Sequence, residues 1–155
     1  MMNEAELETV LAAHAAWLRN EGGKRACLRG ENLVGASLQG ACLRNADMRD
    51  ADLRNARLDE ADMQGADLRG ARLDGSRLVA AILDDANLEG ASLRGASLSF
   101  ADMTGARLDD ACLAGAKLGC ADLRNARLDG ADLEGAHMGG AILPDGTAVP
   151  LLSLD

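Results

Sequence analysis

The residues with side chains suited to catalysis or metal binding are few and scattered. The cysteines and histidines of the chain are Cys27, Cys42, Cys112, Cys120, His14 and His137. No two cysteines form a C-x-x-C pair, and neither histidine lies near a cysteine cluster, so the spacing of a zinc site is absent. We therefore expect scattered reduced thiols, no metal and no cofactor.

Candidate acid–base groups are equally dispersed. Serines, histidines and acids occur singly, and the many glycines recur at multiples of five residues with leucine between them, unlike a phosphate-binding loop. Asp52 and Asp132 occupy equivalent positions of the five-residue repeat described below. That repeat predicts coils of 20 residues, so the two acids lie four coils apart. Without a cleft or a pair of groups placed to cooperate, the sequence predicts a protein that is not an enzyme.

Composition narrows the remaining classes. The 155 residues carry a formal net charge of −9, which makes direct nucleic-acid binding an unfavourable interpretation. No apolar run is long enough to cross a membrane. The acidic N-terminus MMNEAELETV lacks the features of a signal peptide, so the cytoplasm is the expected location.

An amphipathic helix is predicted over residues 4–20, within an N-terminal capping segment 1–25. Asn3 is its expected N-cap, and Gly22-Gly23 its expected stop. The apolar positions of this helix fall on one face, with Trp17 at the edge of that face: Leu7, Val10, Leu11, His14 and Leu18. Trp17 and His14 allow a binding-pair interpretation, but a cap over the open end of the following repeats is favoured.

One five-residue phrase fills residues 26–145. Its central residue falls at 28, 33, 38 and every fifth position to 143, and it is always Leu or Met. Alanine stands two positions earlier, except at Glu31 and Ser76. A period of five fits neither a helix nor a simple strand, but it fits short extended segments that bend regularly. Four segments per coil would give six coils of 20 residues, stacked at ~4.8 Å into a rod of about 29 Å.

This uninterrupted pattern closely resembles the pentapeptide-repeat family. The resemblance implies an all-β solenoid, the right-handed quadrilateral parallel β-helix, of about six coils with one N-terminal capping α-helix. The helix with His14 and Trp17-Leu18, and the ending at residues 141–147, resemble family caps and exits. The chain departs from the family motif in having no Phe at any centre, so we expect a core of Leu and Met alone.

The residue two after each centre forms a corner, where Gly, Asn or Asp would favour a type II turn. One column of corners instead carries Glu60, Ala80, Phe100 and Cys120. We predict a different turn there, of type I or irregular, with negative φ. The candidate interaction patch, here called the Phe100 edge, comprises Val79, Ala80, Ile82, Phe100 and Cys120. Such a patch is either a contact site or a local staple that shields the corner.

Charges alternate in sign between neighbouring columns, which predicts solvated pairs that add little stability. The side of the coils centred on residues 43–143 is the most acidic. The members of this candidate acidic face are Asp62, Asp84, Asp85, Asp102 and Asp122.

Two functions remain. The favoured one is a rigid, non-catalytic protein-interaction or scaffold module whose partner is an unidentified protein. The alternative, implied by the family resemblance, is a DNA mimic that binds DNA gyrase or another DNA-binding protein. The charge disfavours it, since the 13 basic and 20 acidic side chains of residues 26–145 leave less than half the charge of duplex DNA of that length.

The C-terminal tail, residues 146–155, is too apolar to remain in water. From Ala148 onward it carries Val149, Leu151, Leu152 and Leu154. We expect it either to cap the last coil, which is slightly favoured, or to form a homodimer contact. The protein is accordingly expected to be a monomer or a homodimer through its C-terminal end.

Overall fold

The computed structural model describes residues 2–151, which comprise one α-helix followed by a long series of isolated parallel β-bridges. Helix α1 spans Glu4–Leu18. The predicted N-cap is confirmed. The Asn3 side chain accepts the N–H of Glu6 at 2.9 Å, and the Glu6 carboxylate accepts the N–H of Asn3 at 2.8 Å. This capping box satisfies two of the amide groups that a helix leaves unpaired at its start.

The predicted end of the helix is wrong by two residues. The chain leaves the helix after Leu18, and Asn20 adopts the left-handed conformation with φ 57°. The N–H of Glu21 then donates to the Ala16 carbonyl at 2.9 Å and that of Asn20 to the Trp17 carbonyl at 3.1 Å, which is a Schellman motif. Gly23 has a different role, because a Cβ there would collide with the Ala13 carbonyl.

His14 joins the helix to the first coil. Its ring is fully buried, and its Nδ1 accepts the backbone N–H of Ala26 at 3.0 Å. A nitrogen that accepts a hydrogen bond carries no proton, so the imidazole is neutral with its proton on Nε2. Trp17 stacks on it with ring centroids 5.5 Å apart, while itself remaining 36% exposed. The pair is thus part of the cap over the first coil.

Twenty parallel bridges connect residues twenty positions apart along the chain, from Cys27–Asp47 to Asp122–Ile142. They form four columns, each six levels high, so every twenty-residue coil contributes four bridged positions. Each bridge is a pair of hydrogen bonds: the N–H of Leu28 donates to the Asp47 carbonyl at 2.7 Å, and the N–H of Asp47 donates to the Ala26 carbonyl at 2.9 Å. Paired extended positions are only one residue long because a turn follows each of them.

The interior consists of the repeated Leu or Met and the repeated Ala. From Leu28 to Leu123 every central side chain is buried, and most of the alanines are too. Ser76 replaces one alanine, and its hydroxyl donates to the Leu73 carbonyl at 2.6 Å, so no buried polar group is left unsatisfied there. The prediction of a core built from Leu and Met, with Phe100 outside it, is confirmed.

The predicted change of turn type in one corner column is wrong. Glu60, Ala80, Phe100 and Cys120 have φ between 55° and 61°, as the Gly, Asn and Asp corners around them do. Each corner donates its N–H to the next coil, as Phe100 does to the Gly119 carbonyl at 2.9 Å. A turn with negative φ would break this bond and shift the coil against both neighbours. It would also break the bond from the coil below, in which the Ala80 N–H donates to the Ser99 carbonyl at 3.0 Å. These two hydrogen bonds per corner outweigh a left-handed penalty of roughly 1–2 kcal/mol.

The described part of the tail folds back on the last coil. Ile142 and Ala148 form an antiparallel bridge. The N–H of Val149 donates to the Ala141 carbonyl at 2.8 Å, and the N–H of Gly140 donates to the Val149 carbonyl at 2.8 Å. These bonds satisfy backbone groups that have no further coil to pair with. Leu152 and Leu154 of the same tail lie outside the described residues.

The buried His14 makes stability depend on pH. Burial lowers the pKa of its imidazole, the Arg44 backbone opposes this to a smaller degree, and the Arg25 charge adds a little to it. In the unfolded chain histidine titrates near ~6.5, so below that pH the unfolded state takes up a proton that the folded state refuses. We expect the contribution of His14 to the free energy of unfolding, measured in denaturant, to be at its maximum above pH 7. Below pH 6.5 this contribution should fall by up to about 1.4 kcal/mol for each pH unit.

The His14→Gln variant should lose this dependence between pH 7 and 5, whereas His137→Gln, a change on an exposed position, should keep it. An unchanged pH dependence in His14→Gln would show that the cap does not require a neutral imidazole.

Candidate interaction surface

The Phe100 edge lies at one column of corners of the stacked coils, where the repeat normally places residues with small side chains or none. Phe100 is 65% exposed, and Ala80 and Cys120 are exposed on the coils below and above it. Ile82 is also exposed and Val79 is half-buried. The structure thus brings all five predicted residues to one strip of surface.

The tail lengthens this strip. Leu151 is 71% exposed, and its Cδ2 lies 3.1 Å from where a Cβ on Gly140 would stand, at the same corner two coils above Phe100. Of the five exposed large apolar residues among the described ones, Ile82, Phe100 and Leu151 are therefore on this edge, and Trp17 and Val34 are at the N-terminal end. The repeat pattern could not reveal Leu151, because its position depends on how the tail folds back.

The corner column also differs in how it stacks. Elsewhere an Asn or Asp corner is followed one coil later by Gly, except at Asn125, which is followed by Asp145. The Oδ1 atoms of Asp50 and Asn55, for example, lie 2.6 Å from where a Cβ would stand on Gly70 and Gly75. Ala80, Phe100 and Cys120 carry a Cβ on consecutive coils, so this arrangement is unavailable to them. Each instead holds a left-handed conformation that glycine would adopt without cost.

The candidate acidic face is partly neutralised. Asp62 is paired with Arg44 and Asp122 with Arg124, both at 2.5 Å. The Asp84 carboxylate accepts a hydrogen bond from the Gln64 amide at 2.5 Å, and Asp102 accepts the N–H of Thr104 at 3.0 Å. Asp84, Asp85 and Asp102 have no ion pair with any residue of 2–151.

Sequence reasoning missed how the arginines bind. In the phrases A-D-[LM]-R, two nitrogens of the Arg side chain donate hydrogen bonds to the carboxylate of the Asp two residues earlier. These forks join Asp47 to Arg49, Asp52 to Arg54, Asp67 to Arg69 and Asp122 to Arg124. The Arg49 fork lowers the pKa of Asp47 to about 2. Residues two apart in an extended segment point to the same side, which is the signal that could have predicted the forks.

Within residues 2–151, no three His, Cys, Asp or Glu side chains lie close enough to hold a metal ion. All four cysteines are free, and the Cys112 thiol donates to Asp132 at 3.6 Å. Asp52, one of the acids considered for acid–base work, is held by Arg54.

A cavity of about 250 Å³ lies between the start of α1 and the first coil, remote from the Phe100 edge. Its walls are mainly Met2, Leu7, Leu33 and Val34, with Glu4 as the only ionisable side chain. A single exposed carboxylate does not make an acid–base site. No helix within residues 2–151 has the length and apolar character needed to span a membrane.

Comparison with known families matches the description "Pentapeptide repeats", with eight copies that cover residues 24–55, 32–70, 71–110, 81–119 and 106–143. The chain therefore belongs to the pentapeptide-repeat family. A search of curated proteins gives no match.

Among solved structures, the chain is similar to HetL, a pentapeptide repeat protein involved in heterocyst differentiation regulation in the cyanobacterium Nostoc sp. strain PCC 7120. Identity is 35%, over 81% of this chain and 65% of HetL, with a TM-score of 0.56. It is also similar to a trypsin-treated variant of QnrB1, a plasmid-mediated fluoroquinolone resistance protein, at 24% identity over 77% of this chain and 66% of that chain, with a TM-score of 0.58. The chain thus spans slightly less than two thirds of HetL and of the trypsin-treated QnrB1 chain.

Because the corners have positive φ, removing a side chain from a corner should stabilise the protein and adding one should destabilise it. Phe100→Gly removes a left-handed side chain that is mostly in water, so we expect the free energy of unfolding to rise by up to about 1 kcal/mol. Gly95→Ala adds a Cβ to a corner with φ 63° and open space around it, and should lower that free energy by about 1 kcal/mol.

Denaturant unfolding of the two variants beside wild type measures both effects. A local staple, in contrast, depends on the ring packing against the corner. Destabilisation of Phe100→Gly by more than about 1 kcal/mol would therefore establish the staple interpretation and remove the strain argument.

Proposed function

We propose that the protein is a rigid, non-catalytic interaction module that binds a partner protein through the Phe100 edge. One observation carries this proposal: the single Phe of the chain is 65% exposed and held in a left-handed conformation on a rod whose interior is filled with Leu and Met. The ring contributes nothing to the buried core, and its backbone conformation costs stability.

The rigidity follows from the hydrogen bonds. Successive coils are joined at four bridges and four corners, so no single segment can move without breaking bonds to the coils above and below. We infer that the coils form the right-handed quadrilateral β-helix implied by the family resemblance. The twenty-residue period and the four columns of bridges support this geometry. Such a rod presents its surface residues at fixed spacing, which reduces the entropy lost on binding.

The alternative function, mimicry of duplex DNA toward DNA gyrase, has less support. Duplex DNA presents an unbroken series of anionic groups. Here arginines neutralise Asp62 and Asp122, and Asp84 is hydrogen-bonded to Gln64. QnrB1, at 24% identity, supports the fold and not a shared target.

We propose that the partner is met in the cytoplasm, since four free cysteines on a protein surface favour a reducing compartment. We also propose that the protein is a monomer. The tail is bonded to its own last coil through Val149, which leaves it less available for a second copy.

Light scattering tests the monomer proposal. We expect the full-length protein to have the mass of one chain. Deletion of residues 148–155 should cause copies to associate, and so raise the measured particle mass, because backbone groups at Gly140 and Ala141 are freed for pairing. A dimer that dissociates on this deletion would overturn the proposal and assign the tail to the dimer contact.

The interaction itself can be tested by photocrosslinking in the cell of origin. The photoreactive residue p-benzoylphenylalanine replaces Phe100 in one variant and Arg94, an exposed residue of the same coil on a neighbouring side, in the control. We expect a discrete crosslinked partner from position 100 only. Unlabelled wild-type protein should compete for it, and Phe100→Ser should compete at least about tenfold less well.

Serine retains the Cβ, so Phe100→Ser keeps the backbone strain and changes only the ring. Equal labelling from both positions, or full competition by Phe100→Ser, would eliminate the Phe100 edge as the contact.

A further inference from the structure

The side of the solenoid next to the Phe100 edge is unlike the other three. On the three upper coils it consists of residues 96–100, 116–120 and 136–140, which read ASLSF, AKLGC and AHMGG. No acid occurs in these fifteen residues, although the protein has a net charge of −9. We call this surface the smooth face. Apart from Phe100 at its edge, its outward side chains are small except for Lys117 and His137, which stack in one column with Ser97.

Lys117 is exposed and has no ion pair with a described residue. Most other basic side chains of the protein are engaged by a carboxylate. Arg77, lower on the same side, is one of them, since it is paired with Asp59 at 3.0 Å. The smooth face therefore carries uncompensated positive charge beside an exposed apolar edge. This combination complements an acidic, amphipathic partner.

Gly119 lies between Lys117 and the Phe100 edge and lacks the usual structural reasons for glycine. With Gly139 it is one of only two glycines in the chain without a positive φ. A Cβ on Gly119 would meet the Gly139 carbonyl at 3.7 Å and the Ser99 hydroxyl at 3.8 Å, which are ordinary contacts. Neither conformation nor crowding thus excludes a larger side chain. Glycine in an extended segment often marks a close approach by another backbone.

We call the central strip of this face the trough, named for the small residues along its middle. Ser99 and Gly119 stack at its centre, Phe100 and Cys120 follow on the corner side, and Lys117 lies on the opposite side. Pro150 and Leu151 lie against Gly139 and close the upper end. A side of three extended residues between corners is about 10 Å wide, which matches the diameter of an α-helix.

Building on the proposed function, we propose that the trough binds an amphipathic α-helix of the partner protein. The apolar stripe of that helix packs against Phe100 and Leu151, small residues of the helix approach Gly119 closely, and Asp or Glu on its flank pairs with Lys117. The occupant is thus an acidic helix. A basic helix, an extended strand or a nucleic acid is inconsistent with one or more of the three contacts.

A selection from a displayed library of helical peptides, with full-length protein as bait, tests this chemistry without knowledge of the partner. We expect enriched peptides to combine an apolar stripe with Asp or Glu on one flank. Their affinity should fall at least about tenfold for Lys117→Glu, Phe100→Ser and Gly119→Val.

Matched controls separate the trough from general charge and bulk. Arg94→Glu reverses an exposed Arg that has no ion pair with a described residue, and Ala114→Val places the same side chain at the equivalent position on the neighbouring side of the same coil as Gly119. Both should bind the peptides as wild type does. The thermal midpoint of Gly119→Val should equal or exceed that of wild type, because valine suits extended backbone.

The proposal is overturned if no peptide is enriched, if the enriched peptides lack acids, or if the control variants lose binding as the trough variants do. A partner crosslinked from position 100, together with failure of this selection, would retain the interaction module and reject the acidic helix.

Discussion

The hydrogen bonds between coils are the interaction on which every other feature of this protein depends. Each coil donates to and accepts from its neighbours at residues nineteen to twenty-one positions away, and no insertion interrupts that register from Cys27 to Ile142. The register places equivalent positions above one another, so Leu or Met packs on Leu or Met, and Ala packs on Ala everywhere but at Ser76 and Glu31. It also forces every corner into one conformation, because a coil that turned differently would lose its bonds on both sides. The hydrogen bonds between coils, which together form a ladder along the rod, therefore decide the turn conformation even where the residue type disfavours it.

Ladders of this kind have ends, and the chain treats its two ends differently. At the start, His14 supplies the acceptor that a preceding residue would otherwise provide to Ala26, and α1 covers the first core residues. At the other end, Val149 and Thr147 return to bond with Gly140 and Leu143. Both solutions replace a missing coil with a hydrogen-bond partner of another type. An open parallel edge would otherwise be a template for association.

Much of this architecture can be predicted from the sequence, because a repeat without insertions makes each phrase a test of the same rule. The helix start, the Leu and Met interior and the position of Phe100 outside it all follow from local pattern and burial. The turn at Glu60, Ala80, Phe100 and Cys120 did not follow, because residue preference predicts the isolated turn and the neighbouring coils decide the actual one. The Asp–Arg forks join residues two apart, so a comparison of charges twenty residues apart does not predict them. The position of Leu151 depends on how the tail outside the repeat folds back.

The interior of this protein repeats the same few residue types, so the departures from the repeat carry the information about function. Two opposite departures occur side by side. Phe100 bears a large side chain where the backbone favours glycine, and Gly119 bears none where the backbone would accept one. The ladder tolerates the first at a cost in stability and gains nothing from the second. A requirement of folding explains neither residue, whereas a binding surface needs both a projecting anchor and a place where another backbone can come close. Their adjacency on the smooth face and its edge is the physical reason to look for the partner there.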